Sequence, residues 1–224
     1  MSEGQRAAAF FDVDRTLIAV NSGERWVRHL WKSGRLSPGW ALRSVLWILQ
    51  YRLGLLDFEG VTARVAADYA GRSVAEVEDE LRRWFDAEIA ASLCAEGPAR
   101  IAEHERAGDL IVLLTSASRF LAAPVAARVG APHILCTEME VDDAGRFTGR
   151  HVAPACGGAG KVVHAERFAA AHGVDLARSY FYTDSYTDLP MLARVGHPRI
   201  INPDTRLRRH ARAQGWRIET WNPA

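Results

Sequence analysis

The stretch AAAFFDVDRTLI, residues 7–18, is a short apolar run that stops at a carboxylate, Asp12, with a second carboxylate at Asp14 and Thr16 just beyond. An apolar run without polar alternation is the pattern of a strand covered on both faces. Leu110 to Leu114 (LIVLL) repeats it, and Tyr180-Phe181-Tyr182 and Arg199-Ile200-Ile201 are two more instances. Helical stretches fill the intervals over roughly Pro98 to Ala107, Arg119 to Val129, Val162 to His172 and Asp204 to Gln214, several closing at a glycine such as Gly108, Gly130 or Gly173. Strand alternating with helix predicts an α/β fold whose core is an open, parallel, Rossmann-like sheet covered on both faces.

From about Asn21 to Ala95 the pattern changes to helix after helix. This predicts an all-helical domain, residues 21–95, inserted into a core made of residues 1–20 and 96–224. The insert is electrically divided. Asn21 to Leu56 carries six cations (Arg25, Arg28, Lys32, Arg35, Arg43, Arg52) against Glu24 alone, a net of +5, and Asp57 to Ala90 carries nine acids against four arginines, a net of −5. Trp40 to Leu55 is strongly apolar but is interrupted by Arg43, Gln50 and Arg52 and falls short of the roughly 20 residues that span a bilayer. Residues 136–150, CTEMEVDDAGRFTGR, break at Asp143-Ala144-Gly145 and predict a β-hairpin or flap.

The 224 residues are enough for one α/β domain with an insert. Twenty-eight Lys and Arg against 27 Asp and Glu leave a formal charge of +1, so no global field draws in nucleic acid, and no nucleic-acid partner is expected. Cys94, Cys136 and Cys156 are odd in number and widely spaced, which suits a reducing compartment. Met1 to Ala9 leave no room for the apolar region of a signal peptide, and the expected location is cytoplasmic.

Four motifs carry chemistry. Asp12 and Asp14 stand at the C-terminal end of the first strand, where open α/β sheets bind ligands, and residues two apart on an extended chain point to one side. Both carboxylates can thus converge on one phosphate and one metal. In LLTSAS, Thr115 ends the second buried strand and Ser116 and Ser118 follow, placing hydroxyls where a phosphoryl oxygen can be bound. Gly157-Gly158-Ala159-Gly160-Lys161 delivers one of only two lysines to the start of a helix; its spacing is wrong for a nucleotide-binding P-loop. In YFYTDSYTDLPML, Asp184 ends a strand and Asp188 follows four residues on; with Asp12 they offer the hard oxygen ligands that Mg²⁺ takes. Each motif alone has a plainer explanation as a helix cap or an exposed polar group. Their order, with three of the four at strand ends, does not.

This ordered set resembles the haloacid dehalogenase superfamily of phosphohydrolases over nearly the whole chain. The insert is similar to the helical cap of its phosphoserine phosphatase-like branch. The resemblance implies that Asp12 is the nucleophile of an aspartyl-phosphate pathway and that Asp14 is the general acid and then the general base. It further implies that Thr115 and Lys161 hold the phosphoryl group. Asp184 would bind Mg²⁺ with Asp12 and the backbone carbonyl of Asp14, with Asp188 supporting the metal's water or Lys161. Asp14 favours a phosphatase, because dehalogenases lack this second carboxylate. Arg15 and Thr183 stand where glycine is usual.

The expected substrate is a small phosphorylated metabolite. Phosphoserine phosphatases of this branch carry a cap glutamate that reads the amino group, and Asn21 and Glu24 lie at about that place. Five of the seven tryptophans, Trp26, Trp31, Trp40, Trp47 and Trp84, fall in the insert. The favoured expectation is that they form its own core or a dimer contact, in a monomer or homodimer. The alternatives are a phospholipid headgroup phosphatase at a membrane surface, which a basic, Trp-bearing helix would suit, and a phosphotransferase to an alcohol.

Overall fold

The computed structural model of the chain describes residues 6–53 and 55–223. Strand β1 (Ala8–Phe11) is followed by four helices, α1 (Ser22–Lys32), α2 (Pro38–Leu53), α3 (Phe58–Asp68) and α4 (Val74–Trp84). Then come α5 (Glu96–Ala107), β2 (Leu110–Leu114), α6 (Arg119–Val129), β3 (His133–Leu135), and the hairpin of β4 (Met139–Val141) and β5 (Phe147–His151). The chain ends with α7 (Ala159–His172), β6 (Tyr180–Thr183), the short α8 (Leu189–Leu192), β7 (His197–Ile201), α9 (Thr205–Gln214) and β8 (Arg217–Glu219).

Six strands form one sheet in the order β3-β2-β1-β6-β7-β8, and every pairing is parallel. The fold class is the one that the apolar runs predict. Period-two alternation sends Phe11, Leu113 and Tyr182 into one hydrophobic cluster and Phe10, Val112 and Phe181 into another, so that both faces of the sheet are buried. Successive connections leave β1 in opposite directions along the sheet. The C-terminal end of β1 is therefore the topological switch point, where such sheets bind ligands.

The short β3 and β8 lack the apolar runs of the central strands. His133, Ile134 and Leu135 are only half-buried, as are Ile218 and Glu219, while Arg217 is exposed; nothing in those residues calls for a strand covered on both faces.

The four-helix insertion leaves and rejoins the core through two segments that run side by side: the Ala19 amide donates to the Ser92 carbonyl (2.8 Å) and the Cys94 amide to that of Leu17 (2.9 Å). The hairpin forms as expected, and its place is against the insertion. The Gly71 amide donates to Phe147 O (2.8 Å) and the Phe147 amide to Arg72 O (3.0 Å). Gly149 sits so close to the end of α3 that a Cβ there would lie 2.9 Å from that of Ala70, just beyond the helix. No described helix is long and apolar enough to cross a membrane.

Candidate active site

Three strand ends and two loops converge at the switch point. β1 delivers Asp12, β2 delivers Thr115, β6 delivers Asp184, and the turn after β6 brings Asp188 back toward the sheet; all four are buried. Lys161 comes from the first turn of α7, which the glycine segment makes possible. Gly158 has φ +52°, and a Cβ on Gly160 would fall 1.9 Å from the Ala155 carbonyl oxygen, so both positions favour glycine. The turn aims a lysine that is 2% exposed into the site.

The Lys161 ammonium lies 3.1 Å from Asp12 Oδ1 and donates to Asp188 Oδ2 at 2.8 Å. Thr183 donates its hydroxyl to the same Asp188 oxygen at 2.6 Å. The residue found where glycine is usual thus adds an anchor for Asp188. Thr115 Oγ1 accepts the Ala117 amide (3.1 Å), an arrangement that leaves its proton to donate elsewhere. Asp14 Oδ1 accepts the amide of Ser22 (3.0 Å), the first residue of α1.

Three carboxylates are buried here beside one ammonium, which touches two of them, Asp12 and Asp188. Burial pushes the Asp12 carboxyl up to about 7, against the pull of Lys161 and with further upward pressure from Asp188 and Asp14. Burial, with Asp12 and Asp188 alongside, raises Asp184 well above the usual carboxylate range. Burial raises Asp14 as well, opposed by the hydrogen bonds from Ser22. Lys161 is driven upward by Asp12 and Asp188, which outweigh its own desolvation.

This excess of buried negative charge is what a divalent cation would offset. Asp12 Oδ1 has no partner in hydrogen-bond geometry even though Lys161 is near, and the Asp184 carboxylate takes no hydrogen bond from another described residue. Among the described residues no group of three His, Cys, Asp or Glu is arranged to hold a metal by itself. One oxygen of Asp188 is taken up by Lys161 and Thr183 and one of Asp14 by Ser22, so the carboxylates least engaged by the protein, and first in line for a hydrated Mg²⁺, are Asp12 and Asp184. A cation that keeps several waters fits that set.

A model of the family described as haloacid dehalogenase-like hydrolase matches residues 9–193. The chain belongs to that family. Among its relatives, phosphoserine phosphatase SerB1 of Mycobacterium tuberculosis is 37% identical over 227 residues, covering 97% of this chain and 72% of its own. A histidinol-phosphatase of Neisseria meningitidis is 28% identical, covering 94% of this chain and 96% of its own. A crystal structure of a Bordetella pertussis protein superposes with a TM-score of 0.84 at 32% identity, covering 96% of this chain and 98% of that one. This haloacid dehalogenase-like hydrolase is of the phosphoserine phosphatase-like branch with helical insertions.

Its other expected site residues fall at the edge of the buried group. Ser116 is exposed and, with Asn21 and Glu24, lines a cavity that begins at Asp14. The Asn21 side chain accepts the Glu24 amide (2.9 Å) as the N-cap of α1. Glu24 accepts from the Arg15 guanidinium at 3.2 Å. Arg15 has φ +56°, the left-handed conformation that explains why glycine is usual there.

Several residues that touch this site carry no motif. Phe58 of α3 covers the glycine segment, since a Cβ on Gly157 would meet its ring at 2.2 Å. Glu59 accepts the Ala155 amide (2.7 Å) and pairs with His151 (3.0 Å). Ser22 holds Asp14. Of these only Ser22, adjacent to Asn21, had a neighbour in sequence that pointed to it.

Proposed function

We propose that the chain is a Mg²⁺-dependent phosphomonoesterase working through an aspartyl-phosphate on Asp12. One observation carries this reading: the buried Lys161 ammonium stands between Asp12 (3.1 Å) and Asp188 (2.8 Å) at the switch point of the sheet. An ammonium so placed offsets the repulsion between a carboxylate nucleophile and an anionic phosphoryl group.

An Asp12 carboxylate oxygen attacks phosphorus and the bond from phosphorus to the leaving oxygen breaks. Asp14, whose carboxyl burial raises toward a proton-donating range, protonates that oxygen. Asp14 then takes a proton from water, the water oxygen attacks phosphorus, and the bond to Asp12 breaks to release phosphate. The Thr115 hydroxyl and Lys161 hold the phosphoryl oxygens, Ser116 lies beside them, and Asp188 positions Lys161. Asp12, Asp184 and the backbone carbonyl of Asp14 would hold Mg²⁺, which supplies positive charge to the phosphoryl oxygens and the nucleophile. In this reading residues 21–95 form a cap that excludes water from the site.

The two named relatives carry two different substrates in their names, so the class proposed is a phosphomonoester of a small molecule. Recognition of an amino group by Asn21 and Glu24 is poorly supported, because one side chain caps its own helix and the other is paired with Arg15.

The test is hydrolysis of p-nitrophenyl phosphate with and without Mg²⁺, comparing the parent with Asp12→Asn. Magnesium-dependent turnover should fall by roughly 10⁴-fold or more in the variant. Equal turnover in both proteins would sink the reading.

A further inference from the structure

The cavity that begins at Asp14 and Ser116 extends under the cap to about 670 Å³, in the range that holds a drug-sized ligand. Its far walls are Trp26, Trp40, Trp47, Ile48, Leu56 and Phe120. The charged groups along it beyond Asp14 already have protein partners. Glu24 is paired with Arg15, Arg35 and Arg72 with Glu80, and Asp68 accepts the Trp40 indole N–H at 2.7 Å. Such a space suits a bulky apolar leaving group and offers little to a zwitterionic amino acid.

Helix α2 forms part of that wall with Trp40, Ser44, Trp47 and Ile48, which share one face. Its opposite face is also apolar: Leu42, Val45, Leu46, Leu49 and Leu53 are each 51–65% exposed. A helix with apolar side chains on two opposite faces is ordinarily covered on both. Here the outer face has no cover among the described residues.

Charge indicates what covers it. From Arg25 to Leu56 there is no acidic residue, and residues 21–56 carry a net +5. A two-fold contact through α2 would set two such segments against each other, because such a contact joins the same patch on both copies. An anionic lipid surface matches both the apolar face and the net positive charge of the segment that carries it. The same helix would then separate the bilayer from the cavity.

Resting on the phosphomonoesterase reading, we infer that the substrate is a lipid phosphate, with its phosphate at Asp12 and its chain in the cavity, taken up while the outer face of α2 lies on an anionic membrane.

The test uses the full chain, with vesicles of phosphatidylcholine alone or mixed with phosphatidylserine. Co-sedimentation is expected with the mixed vesicles only, and should weaken as salt is raised. The double substitution Leu46→Asp, Leu49→Asp should lower that binding at least about tenfold while leaving p-nitrophenyl phosphate turnover unchanged. Lysophosphatidic acid should exceed phosphoserine in kcat/KM by at least about tenfold.

Absence of binding to the mixed vesicles would overturn the inference, as would binding that the double substitution leaves intact. A dimer that the double substitution dissolves, without vesicle binding, would assign α2 to a second copy. A kcat/KM for phosphoserine equal to or above that for lysophosphatidic acid would overturn the substrate half. Failure of the phosphatase reading is separable: p-nitrophenyl phosphate would then go unhydrolysed, whatever the vesicles show.

Discussion

The buried carboxylate site and the cap above it are held by different forces. Asp12, Thr115 and Asp184 are fixed by strands whose side chains are buried on both faces, and Asp188 and Lys161 are tied to each other inside that core. The cap also packs Val77, Leu81, Trp84, Phe85 and Ile89 into the core, but its remaining ties are contacts among partly exposed groups: Arg35 and Arg72 on Glu80, Glu59 on the Ala155 amide, and Glu24 on Arg15. It also holds a helix with an uncovered face. Chemistry that must be placed within fractions of an ångström sits on the rigid part, and the lining that meets the leaving group sits on the part that can vary.

The largest effect should come from Lys161→Met, which breaks the core side of the contrast. It removes the one cation between Asp12 and Asp188 and leaves two buried carboxylates facing each other. Losing one partner of a buried ion pair costs about 3–5 kcal/mol, so urea unfolding without Mg²⁺ should show a loss of that order together with loss of turnover. A variant as stable as the parent would mean that the buried charges are balanced by something other than this lysine.

A smaller effect is expected in the cap, at Glu80. Burial pulls its carboxyl upward, but the hydrogen bonds from Arg35 and Arg72 outweigh that and hold it below its ordinary value of 4.5. A carboxylate lowered in the folded state contributes stability that is fully present above the unfolded value and is lost as pH falls through the folded value. With the Arg35 and Arg72 side chains 44% and 35% exposed, that contribution is about 1 kcal/mol or less. Glu80→Gln should therefore be less stable than the parent by that amount near neutrality, and the two urea curves should converge as the pH falls below 4.5 and through the lowered folded value. A gap that persists in acid would show that Glu80 acts through packing.

The core was legible because burial on both faces leaves an unmistakable trace: LIVLL at 110–114 is strand β2 to the residue, and Asp12 and Asp184 stand where apolar runs stop. β3 and β8 left no such trace because their residues are only partly covered. The cap's helices were legible as helices, but what they surround was not. Trp40 and Trp47 have the same composition whether they fill a core or line a cavity, and Leu42, Val45 and Leu46 give no sign in sequence that nothing covers them. His104 is a further case. It is buried between Asp109 (2.7 Å) and the Tyr182 hydroxyl (2.8 Å), partners that no local pattern around it announces. Contacts between residues far apart in the chain, such as Phe58 over Gly157, belong to the fold and leave no local pattern.

Arg15 joins the two regions, and Arg15→Gly should change stability least. Its left-handed backbone, φ +56°, costs a side-chain-bearing residue of the order of 1 kcal/mol, which glycine would relieve. Glycine also loosens the unfolded chain, at a cost of roughly 0.4–1 kcal/mol. The lost pair with Glu24, whose two side chains are 33% and 27% exposed, adds no more than about 1 kcal/mol to that cost. The sum lies within about 1 kcal/mol of zero, so unfolding curves should nearly overlay. The substrate profile should not. Without the guanidinium, Glu24 loses a cationic partner at the wall of the cavity and becomes better able to meet an ammonium there. Phosphoserine should therefore gain in kcat/KM relative to p-nitrophenyl phosphate, by about the factor of ten that one partly exposed charge contact is worth. No gain would mean that the cavity rejects an amino acid by its apolar lining alone, with Arg15 holding the cap in place rather than setting its preference.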